Sequence, residues 1–140
     1  MKTNQKLIRD VLTKLYSATP DGYPGDEDNG QTSAWYVFSS IGFYPVTPGT
    51  DQYVIGSPLF DKATLTLENG NQFTITAENN SSKNYYIQSA SLNGKTYNNN
   101  FIQFDDIQKG GAFKIKLDKN PNENWGSQSE NIPYSLSLEK

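Results

Sequence analysis

Three consecutive acids, Asp26, Glu27 and Asp28, lie between Gly25 and Gly30, directly before a run rich in aromatic residues. Clustered carboxylates repel one another, which tends to raise at least one pKa. A helix N-terminus that follows them acts the other way, because its free N–H groups and its dipole stabilise anions. A carboxylate held there stays ionised at neutral pH, and that suits a base or a metal ligand better than an acid. Three readings compete. The segment is a solvated loop with an Asp or Asn helix cap, a calcium loop, or the carrier of a general base that activates water. The EF-hand version of the second fails, because counting from Asp26 puts Gly30 at position five and Gln31 at position six, where that pattern needs a ligand and then glycine. A calcium site of another kind stays open.

Composition narrows the chemistry further. The 140 residues include no Cys and no His. Thiolate nucleophiles, disulfides, imidazole ligands and a Ser-His-Asp triad are therefore excluded. Asp, Glu, Lys and Tyr remain for acid–base work. The net charge is −3 and the basic residues form no stripe, so nucleic acid is not an expected partner. No apolar run approaches the roughly 20 residues of a membrane span, so no membrane partner is expected. Met1-Lys2-Thr3-Asn4-Gln5-Lys6 leads into an amphipathic segment and not into an apolar signal core. Apolar residues make up only 34% of the chain, but aromatics reach 13%, enough large side chains to build a core.

The elements that must position the acids read as follows. Leu7, Val11, Leu12 and Leu15, widened by Ile8 and Tyr16, predict a helix over 4–17, with Lys6, Arg9, Asp10 and Lys14 facing away. Thr19-Pro20-Asp21-Gly22 ends it. A second helix is expected over 31–41, stopped by Gly42. It carries few charges and large aromatics on several sides, the pattern of a helix buried all round. Beyond Pro45 short alternating segments follow: 53–56, 62–67, 72–77, 85–92, 95–97, 101–102, 112–117 and 134–138. Asn69-Gly70 and Asn93-Gly94 separate two pairs of them as hairpins. The fold class expected is α+β: two N-terminal helices, then a mainly antiparallel two-layer β-sandwich. The division expected is a helical segment over 1–45 with the acidic loop, and a sandwich over 46–140.

The run from Gly25 to Val46, which reads GDEDNGQTSAWYVFSSIGFYPV, closely resembles the signature of the glycoside hydrolase family 92 α-mannosidases. So do Pro48-Gly49-Thr50, the stretch from Tyr53 to Lys62, Leu67-Glu68-Asn69-Gly70, Tyr86-Ile87-Gln88-Ser89-Ala90 and Asn122-Glu123-Asn124-Trp125-Gly126. The resemblance covers nearly all of the chain from about residue 20. It implies an exo-acting, calcium-dependent, inverting α-mannosidase with an N-terminal β-sandwich and an (α/α)6 barrel. This chain resembles only the last barrel helices and the β region after them. The aspartates of the family's Gly-Asp-x-Asp stretch, linked there to the general base, map onto Asp26 and Asp28. Glu27 and Trp35 are the further candidates for contact with the sugar. No residue of the chain is assigned as a metal ligand. The family's general acid, a glutamate, and its calcium ligands belong to earlier parts of the barrel and have no counterpart here. Asn29 stands where many relatives have Cys. An isolated chain with half of a catalytic pair is expected to be inactive. Its implied partners are an α-mannoside glycan, the rest of the barrel and, through the aromatic helix, a second copy. Relatives in bacteria are often exported. The alternative is a non-catalytic β-sandwich that binds carbohydrate or packs on a partner.

Other residues admit two readings each. Trp35, Tyr36 and Phe38 form either a sugar-stacking platform or a packing face against barrel neighbours. Trp125, in a loop, binds sugar or plugs the open end of the sandwich. Tyr85 and Tyr86, if both in a strand, face opposite sides. Asn79-Asn80-Ser81-Ser82 holds glycosylation sequons. Asp105-Asp106 reads as a solvated turn, and Lys109-Gly110-Gly111 is too short for a phosphate loop.

Overall fold

The computed structural model describes residues 2–138. Helix α1 (Lys2–Lys14) is followed after the acidic loop by α2 (Gln31–Ile41). Strands β1 (Phe43–Tyr44), β2 (Gln52–Ile55), β3 (Lys62–Thr66), β4 (Gln72–Glu78), β5 (Tyr86–Leu92), β6 (Lys95–Tyr97) and β7 (Phe101–Gln103) come next. A short helix α3 (Phe104–Gln108) and the long strand β8 (Gly111–Asp118) complete the regular structure, apart from single 3-10 turns at Ser129–Asn131 and Leu136–Leu138. The α+β class holds. None of the described helices is long and apolar enough to cross a membrane.

Two sheets form. One has three strands in the order β1-β2-β7, the other five in the order β3-β4-β8-β5-β6. Alternation decides which side chains go inward: β4 and β8 bury every second residue. Their inner set is Phe73, Ile75 and Ala77 from β4 with Phe113, Ile115 and Leu117 from β8. These share one core with Phe43, Ile55 and Ile102 of the smaller sheet, with Ile107 of α3, and with Trp125. Both hairpins stand where Asn-Gly pairs announce them. At the second, Asn93 (φ 50°) and Gly94 (φ 80°) make the paired left-handed turn that matches strand twist.

The pairing of β4 with β8 is parallel, unlike every other pairing. It requires the chain to leave α3 and enter the sheet between β4 and β5. Gly110-Gly111 makes that entry. Gly111 sits at φ 120°, and a Cβ there would lie 2.0 Å from Asn93 Oδ1. That oxygen accepts the Ala112 N–H at 2.8 Å, so the turn residue of one hairpin also seats the first residues of β8. Gly111→Ala is expected to destabilise the fold by at least about 1 kcal/mol, read as a lower urea midpoint.

Several expectations are corrected. The first helix ends at Lys14 and not at residue 17. Its buried face is Gln5, Arg9 and Leu12, while Leu7 and Leu15 are 53% exposed. Arg9, expected to face solvent, is only 7% exposed. Hydrogen bonds choose this face. Gln5 Oε1 accepts the Ile87 N–H of β5 at 3.0 Å. Arg9 Nη2 donates to Asn80 Oδ1 and, at 2.9 Å, to the Ser81 carbonyl. Burial lowers the Arg9 pKa from its ordinary value, partly offset by the Asp61 carboxylate. The Asn80 amide also donates to the Leu59 carbonyl and to Asp61. A sequon residue used in this way has its side chain committed to the fold. Arg9→Lys keeps the charge but not the reach and planar shape of the guanidinium, and is expected to lower the melting temperature measurably by freeing these acceptors.

Residues 134–138 form no strand. Tyr134 N–H donates to Gln52 Oε1 at 2.7 Å, and the segment closes in a 3-10 turn. Asp105 and Asp106 lie in the first turn of α3, where carboxylates suit the helix dipole. Tyr85 precedes β5, so the strand rule for side-chain direction does not govern it, and its ring packs at 4.6 Å on that of Tyr86.

Candidate functional site

The acidic loop is built around an unusual backbone path. Asp28 (φ 50°), Asn29 (φ 58°) and Gly30 (φ 93°) are three successive left-handed residues. Asp and Asn tolerate that region better than other side chains. The turn delivers the chain into α2, whose first N–H groups are satisfied from the loop. The Glu27 carbonyl accepts the Thr32 N–H at 3.2 Å, and the Asp28 carbonyl accepts the Gln31 N–H at 3.3 Å. Thr32 Oγ1 donates to the Asp26 carbonyl at 2.9 Å. Gly30, the residue at the cap position, has no side chain to offer. Glu27 takes that role. Its Oε1 accepts the Ser33 N–H at 3.3 Å and the Ser33 hydroxyl. Its Oε2 is buried and has no hydrogen-bond partner among the described residues.

The three acids therefore point differently. Asp26 and Asp28 are exposed, and Glu27 is half-buried against the first turn of α2. The structure brings all three to one helix N-terminus, with two carboxylates in solvent and one turned inward.

An aromatic cluster underlies the loop. Tyr16 is its centre: Trp35 stacks on it at 5.8 Å and 15°, Tyr36 lies at 4.8 Å, and Tyr23 meets it edge-on at 6.0 Å. The Tyr16 hydroxyl donates to the Thr32 carbonyl at 3.2 Å. Burial, and then the Glu27 charge, raise the Tyr16 pKa above its ordinary value. A cavity of about 290 Å³ opens beside Tyr16, Tyr23 and Tyr36. Phe38, on another face of α2, packs instead on Phe43, Tyr44 and Tyr53. Val37 is 57% exposed. Trp125 is 6% exposed, belongs to the core, and its indole N–H donates to the Tyr97 carbonyl at 3.0 Å.

Sequence reasoning misses Ser33 and Tyr16. Glu27 meets Ser33 across six positions, a spacing with no established capping signature, and Tyr16 is visible only as part of an apolar stripe. Calcium is what the family resemblance implies. Among the described residues no three His, Cys, Asp or Glu side chains gather to hold a metal ion.

One antiparallel and one mixed sheet thus share a core, with exposed aspartates at the start of an aromatic helix. The chain superimposes on a family GH92 inverting mannosidase from Bacteroides thetaiotaomicron with a TM-score of 0.89 and 48% identity, covering 96% of this chain and 18% of that one. It matches a second GH92 α-mannosidase of the same organism with a TM-score of 0.90 and 40% identity, over 96% of this chain and 18% of that one. An uncharacterized secreted glycosidase of Arthroderma benhamiae is 34% identical over 134 residues, 94% of this chain and 17% of that protein. The model of the glycosyl hydrolase family 92 catalytic domain matches residues 1–119. The chain belongs to glycosyl hydrolase family 92. It spans less than a fifth of the length of these relatives.

Proposed function

We propose that this chain is the C-terminal part of a calcium-dependent, inverting exo-α-mannosidase, and that Asp26 and Asp28 form its general-base end. The observation that carries the reading is the pair of solvent-facing aspartates at the head of α2 in a chain 48% identical to part of an inverting mannosidase. In such a reaction a carboxylate takes a proton from water. The water oxygen attacks the anomeric carbon from the face opposite the leaving group, and a carboxylic acid protonates the departing glycosidic oxygen. The two carboxyl groups stand ~6.5–9.5 Å apart to leave room for the water. Asp28 sits at the loop's turning point and takes the base role, with Asp26 beside it. The acid and the calcium ligands lie in the remainder of the enzyme. Trp35, half-buried and stacked on Tyr16, is the further candidate for contact with the sugar.

The 140-residue chain alone is then expected to hydrolyse no α-mannoside above background, while the full-length enzyme releases free mannose. Hydrolysis by the purified short chain, retained after further purification, would overturn the division of catalytic groups.

A further inference from the structure

Glu27 lies between the two proposed base residues, and its carboxylate faces away from solvent. Its Oε1 holds the Ser33 hydroxyl and the Ser33 N–H, while its own carbonyl holds the Thr32 N–H. Asp28 follows immediately, in the left-handed region, and its side chain projects from a backbone whose near end is pinned by these bonds. A residue at φ 50° has few alternative conformations close by, so releasing the pin lets the turn relax toward ordinary φ values and swings the Asp28 carboxylate. Other groups at this helix end are placed to keep the pin rigid. Thr32 is held from both sides, by the Tyr16 hydroxyl on its carbonyl and by its own hydroxyl on the Asp26 carbonyl.

We infer that Glu27 is a positioning residue: through its contact with Ser33 it fixes the direction of the Asp28 carboxylate and makes no contact with sugar itself. This rests on the reading of Asp28 as the base. Glu27 caps α2 from outside the helix because Gly30 cannot, and Gly30 is glycine because the third left-handed position demands it. The backbone path that aims Asp28 thus removes the ordinary cap, and the neighbouring acid replaces it.

The test uses the full-length enzyme and steady-state kinetics on an α-mannoside, with thermal melting of each variant. Glu27→Ala is expected to lower kcat by about 30- to 100-fold, the scale of a small misplacement of a catalytic group. KM should stay within about twofold, because no substrate contact is lost. Glu27→Gln keeps an acceptor for Ser33 and should recover most of kcat. Ser33→Ala should give part of the loss, and adding it to Glu27→Ala should cost nothing more. A Glu27→Gln variant as poor as Glu27→Ala, with KM raised, would overturn the inference in favour of direct sugar contact. Unchanged kcat in Glu27→Ala would overturn it outright. Should Glu27→Ala fail to fold, Glu27→Gln and Ser33→Ala decide between these outcomes. Asp28→Asn is the control: if it retains activity the base assignment fails, whereas if it is inactive and Glu27→Ala is normal, only the positioning role fails.

Discussion

Replacing Asp28 by Asn in the full-length enzyme is expected to lower kcat by about 10²–10⁴-fold, the usual contribution of a general base. The melting temperature should barely move. Asp28 is exposed, and Asn tolerates its positive φ as readily as Asp does. Surface changes of this kind fall within about ±0.5 kcal/mol. The same substitution at Asp26 separates the two aspartates, because both carboxylates lie in solvent but only Asp28 occupies the strained turn. A large loss at Asp26 with activity kept at Asp28 would exchange their roles. Activity kept by both variants would place the base elsewhere in the enzyme. A large fall in melting temperature with full activity would make the loop a structural cap only.

The largest effect on stability is expected at the centre of the β region. Phe113 on β8 is buried in the core and meets Tyr97 edge-on at 5.6 Å. Its strand is paired on one side with β4 and on the other with β5. Truncation to Ala removes a large apolar surface that strands on either side cannot fill, at a cost of about 3–5 kcal/mol. Set against a typical total of about 5–15 kcal/mol, that leaves the variant close to its unfolding threshold at room temperature. Phe113→Leu, which keeps most of the volume, should lose much less. Urea unfolding followed by tryptophan fluorescence gives both numbers, since Trp125 belongs to the same core. A loss under about 1 kcal/mol for the alanine variant would mean that the two sheets do not share the packing described.

Much of this fold is legible from neighbours along the chain. The aromatic helix and its stop at Gly42 follow from local pattern and from a glycine at φ 113° whose N–H closes onto the Phe38 and Ser39 carbonyls. The hairpins follow from Asn-Gly turns, and the inward sets of β4 and β8 from period-two alternation. Family membership too was readable in the run from Gly25 to Val46, and the match to residues 1–119 bears it out.

The rest depended on segments far apart in sequence. An amphipathic reading of α1 chose Leu7 and Leu15, but the helix turned its Gln5–Arg9 face inward because β5 and the turn at Asn80–Ser81 offered hydrogen-bond partners there. Leu136 and Leu138 alternate like a strand, yet the segment winds into a 3-10 turn. The parallel pairing of β4 with β8 needed a crossover that no turn motif announces. At the candidate site the sequence by itself determined that three carboxylates crowd one helix start. Tertiary structure decided that two of them meet water and that Glu27 turns onto Ser33. Periodicity and turn chemistry are set by residues a few positions apart, whereas the direction of a carboxylate is set by whichever donors the completed fold brings within reach.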